Sequence, residues 1–379
     1  MQVGQQQWTE EQGWRHYGES PVPRDAQLVL VFGATDRLRD PSRLTDLRSL
    51  CPDAALFGCS TSGEIAGPQV FDDSIVGTAL RFENTKVRVA STPIESEADS
   101  HAAGCRLAGQ LAGDHLSHVL VLSDGLKVNG SQLVEGLASV LPANIAVTGG
   151  LAGDGTRFQE TLVVCGDRPQ ARIAAAVGFY GTRLHVGYAS LGGWDPFGPE
   201  RIITRAAGNV LFELDGQSAL GLYKQYLGEH ASDLPASALL FPLSVRRHES
   251  DEPLVRTILG IDDAASSMTF AGDMPMGARA RLMKANFDRL VDGATGAARA
   301  SHAIDEPADL ALLISCVGRK LVLKQRTEEE VEAVRDVLGD RASLTGFYSY
   351  GEISPFVASA KCQLHNQTMT VTTFSESVG

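Results

Sequence analysis

Residues 27–65 read "QLVLVFGATDRLRDPSRLTDLRSLCPDAALFGCSTSGEI", and the order of patterns in that stretch decides the fold. "QLVLVFG" is an apolar run of strand length, "DPSRLTDLRSLCP" has helical spacing with Pro41 near its start, and "AALFGCS" is a second apolar strand. The stretch closes on the turn "TSGEI". The same order returns twice. Residues 117–155 give "SHVLVLSDG", "NGSQLVEGLASVLP" and "NIAVTGGLAGDG", placing Gly149, Gly150, Gly153 and Asp154 where Gly58, Gly63 and Glu64 stood. Residues 309–353 give "DLALLISCVG", "TEEEVEAVRDVLGD" and "ASLTGFYSYGEI", with Thr327 and Glu330 spaced as a capping box. Three divergent strand–helix–strand units result. The outer two share a frame most closely, "GCSTSGEI" at 58–65 and "GFYSYGEI" at 346–353.

The segments between the units read as antiparallel strands. "SIVGTALRF" and "KVRVASTPI" are expected to form a hairpin across "ENT", and "ETLVVCG", "ARIAAAVGFYG" and "LHVGYAS" a three-stranded meander. "SALGLYKQYLGEH" (218–230) reads as a helical hinge. The expected fold is therefore mixed α/β, two lobes with repeated strand-helix-strand units and antiparallel meanders. Residues 1–25, polar and closed by "SPVPRD", read as an N-terminal extension outside the first sheet, followed by domains over 26–218 and 219–379.

Composition narrows the function. With 379 residues and 43% hydrophobic content the chain can bury a sizeable core. A net charge of -13 disfavours nucleic acid and anionic lipid as partners. No apolar run reaches the roughly 20 residues of a membrane helix and no secretion signal opens the chain, so a cytoplasmic location without membrane insertion is expected. The six cysteines form no C-x-x-C pair, and no P-loop, G-x-S-x-G elbow or dinucleotide fingerprint is present.

The Gly-acid corner is the main candidate site. Gly58, Gly63, Gly150 and Gly351 leave room for close approach of a ligand or a strand, and Ser60, Glu64, Asp154, Tyr348 and Glu352 would line a crevice at strand ends. The competing role for the acids is to cap backbone N–H groups. Trp194, in "LGGWDPFGP", offers an indole face to a ligand or plugs an interface. Arg205 and Arg319 suit either a ligand carboxylate or a salt bridge.

Six motifs in chain order carry a resemblance: "GCSTSGEI", "GGLAGDG", "GGWDPFGPERIITRAAGNVLFELDG", "DEPLVRTILGID", "ISCVGRK" and "GFYSYGEISP…LHNQT". Together they resemble the FIST family, F-box and intracellular signal-transduction proteins, from about residue 28 to 374. The resemblance implies a cytosolic sensor of a small, amino-acid-like ligand that signals to a separate partner. Some bacterial members that resemble this layout bind haem, sense nitric oxide and act on histidine kinases. For that branch the cofactor would be haem b held without covalent attachment, since C-x-x-C-H is absent, and His185 and His365 are the candidate iron ligands. A structural role for His365 is the competing reading. The alternative to a sensor is an enzyme acting on a small metabolite in the same Gly-acid crevice.

Overall fold

A computed structural model describes residues 1–302, 307–357 and 360–377. The first unit comprises β1 (Gln2–Thr9), β2 (Gly13–Tyr17), β3 (Leu28–Gly33), α1 (Thr35–Leu38), α2 (Pro41–Leu50), β4 (Ala55–Ser60), the hairpin β5 (Glu64–Ala66) and β6 (Gln69–Phe71), and β7 (Ile75–Arg81). α2 begins where the sequence reading placed it, with Asp40 accepting from the Ser42 amide and Pro41 in the first turn. The second unit comprises β8 (Lys86–Pro93), α3 (Ser100–Leu111), β9 (Leu116–Ser123), α4 (Gly130–Val140), β10 (Ala146–Leu151), the hairpin β11 (Val163–Cys165) and β12 (Pro169–Gln170), and β13 (Ile173–Tyr180).

The third unit opens with β14 (Leu184–Leu191) and is then interrupted by an insertion. That insertion contains β15 (Asp195–Ala207), β16 (Val210–Leu214), β17 (Gln217–Ser218), α5 (Ala219–Leu227), β18 (Leu243–Arg246), β19 (Leu254–Arg256), β20 (Ile258–Asp262), β21 (Ser267–Phe270) and β22 (Arg279–Lys284). The unit resumes with α6 (Phe287–Ser301), β23 (Leu310–Cys316), α7 (Val317–Leu323), α8 (Thr327–Leu338), β24 (Ser343–Ser349), the hairpin β25 (Gly351–Pro355) and β26 (Cys362–His365), and β27 (Met369–Glu376).

Each unit builds one sheet around a parallel pair, β3 with β4, β9 with β10, and β23 with β24, and each adds its last strand antiparallel to the first of the pair. The hairpins are exchanged in a ring. β5–β6 extends the third sheet, β25–β26 the second, and β11–β12 the first. The strands that open the units, β1, β8 and β14, cover the far side of β7, β13 and β27. The three sheets enclose one core in which Phe32, Phe57, Leu122, Phe179, Ile314 and Phe347 meet, with Phe32 stacked on Phe347 at 4.7 Å. Helices cover the outer faces, so the strands are apolar on both sides.

The mixed α/β class and the repeated units are as expected, but several local expectations are corrected. Residues 2–17 are not an extension outside the first sheet: β1 pairs with β7 from Gln2 to Trp8. Their polar side chains misled because the aromatic residues dock them together with the buried Gln5, which donates to the Thr78 hydroxyl and the Leu344 carbonyl. Arg43 lies 3.9 Å over the Trp8 ring, Trp14 donates to the Arg43 carbonyl, and the Tyr17 hydroxyl donates to the Ala66 carbonyl. β7 and β8 form no hairpin, because "ENT" carries the chain round a corner between two sheets, and β11, β13 and β14 lie in three different sheets. An antiparallel meander does occur, in the insertion. α5 packs inside that insertion with Leu211, Met268 and Phe270 rather than acting as a hinge.

Candidate functional site

The repeated corner closes the three units on one another. Gly58, Gly149 and Gly346 are equivalent: a Cβ on each would lie 1.7, 1.8 and 1.8 Å from the carbonyl oxygens of Val31, Val121 and Leu313 on the neighbouring parallel strand. Only glycine fits. Counting from each glycine, the fourth residue on donates its amide to the carbonyl of the second residue of another unit. Gly153 donates to Ser60 at 2.9 Å, Ser62 to Tyr348 at 2.8 Å and Tyr350 to Leu151 at 3.2 Å, a closed backbone ring.

Glu64 and Glu352 stand beside that ring as caps. Glu64 accepts from the Thr61 hydroxyl at 2.5 Å and from the Ser74 amide and hydroxyl at 3.2 and 2.7 Å. Glu352 repeats the pattern with the Ser349 hydroxyl at 2.8 Å and the Thr368 amide and hydroxyl at 3.1 and 2.8 Å. Ser74 and Thr368 each immediately precede the closing strand of their unit. Both acids are buried, at 1% and 0% exposure, and burial pushes their carboxyls up to about 7 and about 8 against the pull of these donors. The two acids therefore face protein donors and not an open crevice. The expected convergence with Asp154 fails because Asp154 lies one place earlier in its frame. It accepts from the amides of Phe158, Gln159 and Glu160 and from the Tyr350 hydroxyl. Burial opposes its ionisation, yet these four donors outweigh it and hold the carboxyl below the usual range.

The remaining corner residues are structural in the same sense. The Ser60 hydroxyl accepts from the Leu162 amide. Gly63 has φ 132°, and a Cβ there would lie 2.3 Å from Lys320 Nζ; one at Gly150 would lie 2.9 Å from Ile314, and one at Gly351 3.0 Å from Leu364. Arg319 and Tyr348 are brought together on Glu330. Arg319 Nε and Nη2 donate to Glu330 Oε2 at 2.9 and 2.6 Å, while Ser315 and Tyr348 donate to Oε1 at 2.8 Å each. The arginine thus holds an internal carboxylate, and Glu330 serves no capping box; Thr327 donates to the Lys324 carbonyl instead. Trp194 plugs the junction of insertion and third unit, donating to the Gln367 carbonyl at 2.9 Å. Arg205 is 57% exposed and pairs with Glu213 on the surface of the insertion, away from the corner residues' contacts.

His365 does not fit a haem iron. His365 is buried, donates from Nε2 to the Ser354 carbonyl at 2.8 Å and packs edge-on against Phe356, and burial pushes its ring down to about 4. His185 lies on the edge strand β14 opposite Ser375.

A cleft of about 900 Å³ lies elsewhere, between α4, the edge strand β26 and the insertion, and no histidine lines it. Arg256 and Asp273 come from the insertion, Ser131 and Glu135 from α4, Gln363 from β26 and Tyr188 from β14. Arg256 is 4% exposed; its Nη1 donates to the Leu364 carbonyl at 2.8 Å. Its Nε, Gln363 Oε1 and Ser131 Oγ are shielded and have no partner among the described residues. Burial pulls the guanidinium down to about 10, with Asp273 opposing. Asp273 reaches the start of α4, accepting from the Asn129 side-chain amide at 2.9 Å. The sequence reading missed this group because its members lie on remote segments. A signal was present: "DEPLVRTILGID" holds Arg256 beside Asp251 and Glu252, all three at the cleft.

Residues 27–217 match the FIST N domain and residues 219–355 the FIST C domain. No curated protein matches the chain. Among solved structures, a cyanuric acid hydrolase from A. caulinodans is similar over 94% of this chain and 92% of its own, at 9% identity and a TM-score of 0.35.

Proposed function

The chain belongs to the FIST family, whose domains are associated with small-ligand sensing in signal transduction, and from that premise we propose that it senses a zwitterionic, amino-acid-like ligand in the cleft beneath the insertion. The observation that carries this reading is the set of buried polar atoms at the cleft without partners among the described residues, Arg256 Nε, Ser131 Oγ and Gln363 Oε1. Leaving such groups unpaired costs about 1 to 3 kcal/mol each, which a ligand recovers when these side chains turn toward the cleft to pair with it. A carboxylate suits Arg256 and Ser131; an ammonium suits Gln363 and Asp273. A ligand bridging α4 and the insertion favours one arrangement of the two bodies, and a separate cytoplasmic signalling enzyme, a histidine kinase on the family resemblance, reads that arrangement.

Calorimetric titration of the protein with the common L-amino acids tests this. Saturable binding of at least one is expected, weakened about 10- to 150-fold by Arg256→Gln, the loss of one charge-assisted pair. Absence of binding across the set, or an Arg256→Gln variant that folds and binds as the wild type does, contradicts it. The Gly-acid crevice that an enzyme reading requires has no support in the arrangement of Glu64 and Glu352, whose oxygens are engaged by protein donors.

A further inference from the structure

The insertion carries an arginine face that ligand binding does not explain. On β18 and β22, Arg246 and Arg279 are direct cross-strand partners, and Arg281 stands opposite Ser244. Leu243, Val245, Ala280 and Leu282 point into the insertion's core, so the three arginines share the other face. One end of that face is covered, where Met283 packs with Trp194 and Leu290. Arg279 and Arg281, beyond it, are exposed.

Like charges directly opposite one another destabilise a strand pair. Glu200 relieves part of this, lying 2.7 Å from Arg246 and 3.3 Å from Arg279, and the largely exposed Glu249 lies 3.5 Å from Arg279. Arg281 donates Nε to the Gly198 carbonyl, and among the described residues neither it nor the adjoining Arg247 forms an ion pair. On this face three guanidinium groups meet two carboxylates, which leaves Arg281 as an unbalanced positive charge on a chain of net charge -13.

We propose that this face docks an acidic segment of the protein that receives the signal. Guanidinium forks match carboxylates in two-pronged geometry. A nucleic acid or an anionic membrane would press its extended charge against the rest of an acidic molecule, whereas a short acidic segment meets only the arginines. Arg246 and Arg247 also line the cleft, so the face begins at the rim of the ligand site and moves with the body the ligand would reposition. The inference holds whichever ligand the cleft takes.

The test is fluorescence anisotropy of a fluorescein-labelled, glutamate-rich peptide with the full chain at low ionic strength. Saturable binding that weakens with added salt is expected. Arg279→Glu with Arg281→Glu should weaken it at least about ten-fold, while Arg279→Lys with Arg281→Lys keeps most of it. Should charge reversal unfold the insertion, seen by near-ultraviolet circular dichroism, Arg279→Ser with Arg281→Ser should weaken binding in the same direction. No peptide binding, or binding unchanged in the folded variants, overturns the proposal. Tighter binding of phosphatidylglycerol vesicles or of a single-stranded RNA homopolymer than of the peptide overturns it equally.

Discussion

Glu64 and Glu352 are held in matching cages of one hydroxyl from the same turn plus the amide and hydroxyl of a residue 10 or 16 places later. Their raised carboxyls have a signed consequence. Between the ordinary glutamate value and about 7 for Glu64, or about 8 for Glu352, the folded chain keeps protons that the unfolded chain has released. Stability from these acids is full in mild acid, falls as pH rises through that window and levels above it, on the order of 3 kcal/mol per acid. Glu64→Gln and Glu352→Gln should flatten this dependence, and urea denaturation across pH 5 to 9, read as variant minus wild type, checks it. An unchanged slope contradicts the protonated cage. Arg319 gives a second test at this scale. Arg319→Met leaves Glu330 buried without its cation, a loss of about 3 to 5 kcal/mol, and adding Glu330→Met should restore much of it. Ligand binding in any folded variant should persist, because neither residue lines the cleft.

Strands and corners account for what the sequence made legible. The apolar runs and the recurring Gly-acid frame revealed three units, since period and turn chemistry are local signals. They did not reveal that each hairpin leaves its own sheet, because Gly149–Leu151 pairs with Gly351–Ile353 across some 200 positions with no local trace of that choice. Capping was one of the two roles the sequence offered the acids, but their partners were hidden likewise, as Ser74 and Thr368 lie outside the repeated frame. The N-terminal stretch was misread since Gln5 is buried by pairing with Thr78 and the Leu344 carbonyl, a destination a polar side chain does not announce. Two outcomes follow for the elements. Gly149→Ala must move the Val121 carbonyl from 1.8 Å, so the variant should lose more than about 3 kcal/mol or fail to fold, by thermal denaturation. Removing residues 1–17 strips β1 from β7 and should leave insoluble or molten protein; a cooperative transition like that of the full chain would contradict the place of β1 in the sheet.

At the scale of the molecule, three interlocked sheets form one body, and one insertion, entered after Leu191 and left before Phe287, lies against it through Arg256, Asp273 and Trp194. The cleft is formed by both bodies, which is the arrangement a sensor needs: a ligand that touches each changes their relation, and any change in partner affinity is matched by an equal change in ligand affinity, typically about 5- to 150-fold. Partner titration with and without ligand reads that coupling, and identical affinities would remove the signalling role. The central claim, that the ligand sits between the insertion and α4, is tested most directly by a crystal structure of the chain with the tightest-binding amino acid from the titration. The expected result is ligand density with its carboxylate at Arg256 and Ser131 and its ammonium toward Gln363 and Asp273; density at the strand-end corners beside Glu64 and Glu352, with the cleft unchanged, would contradict it.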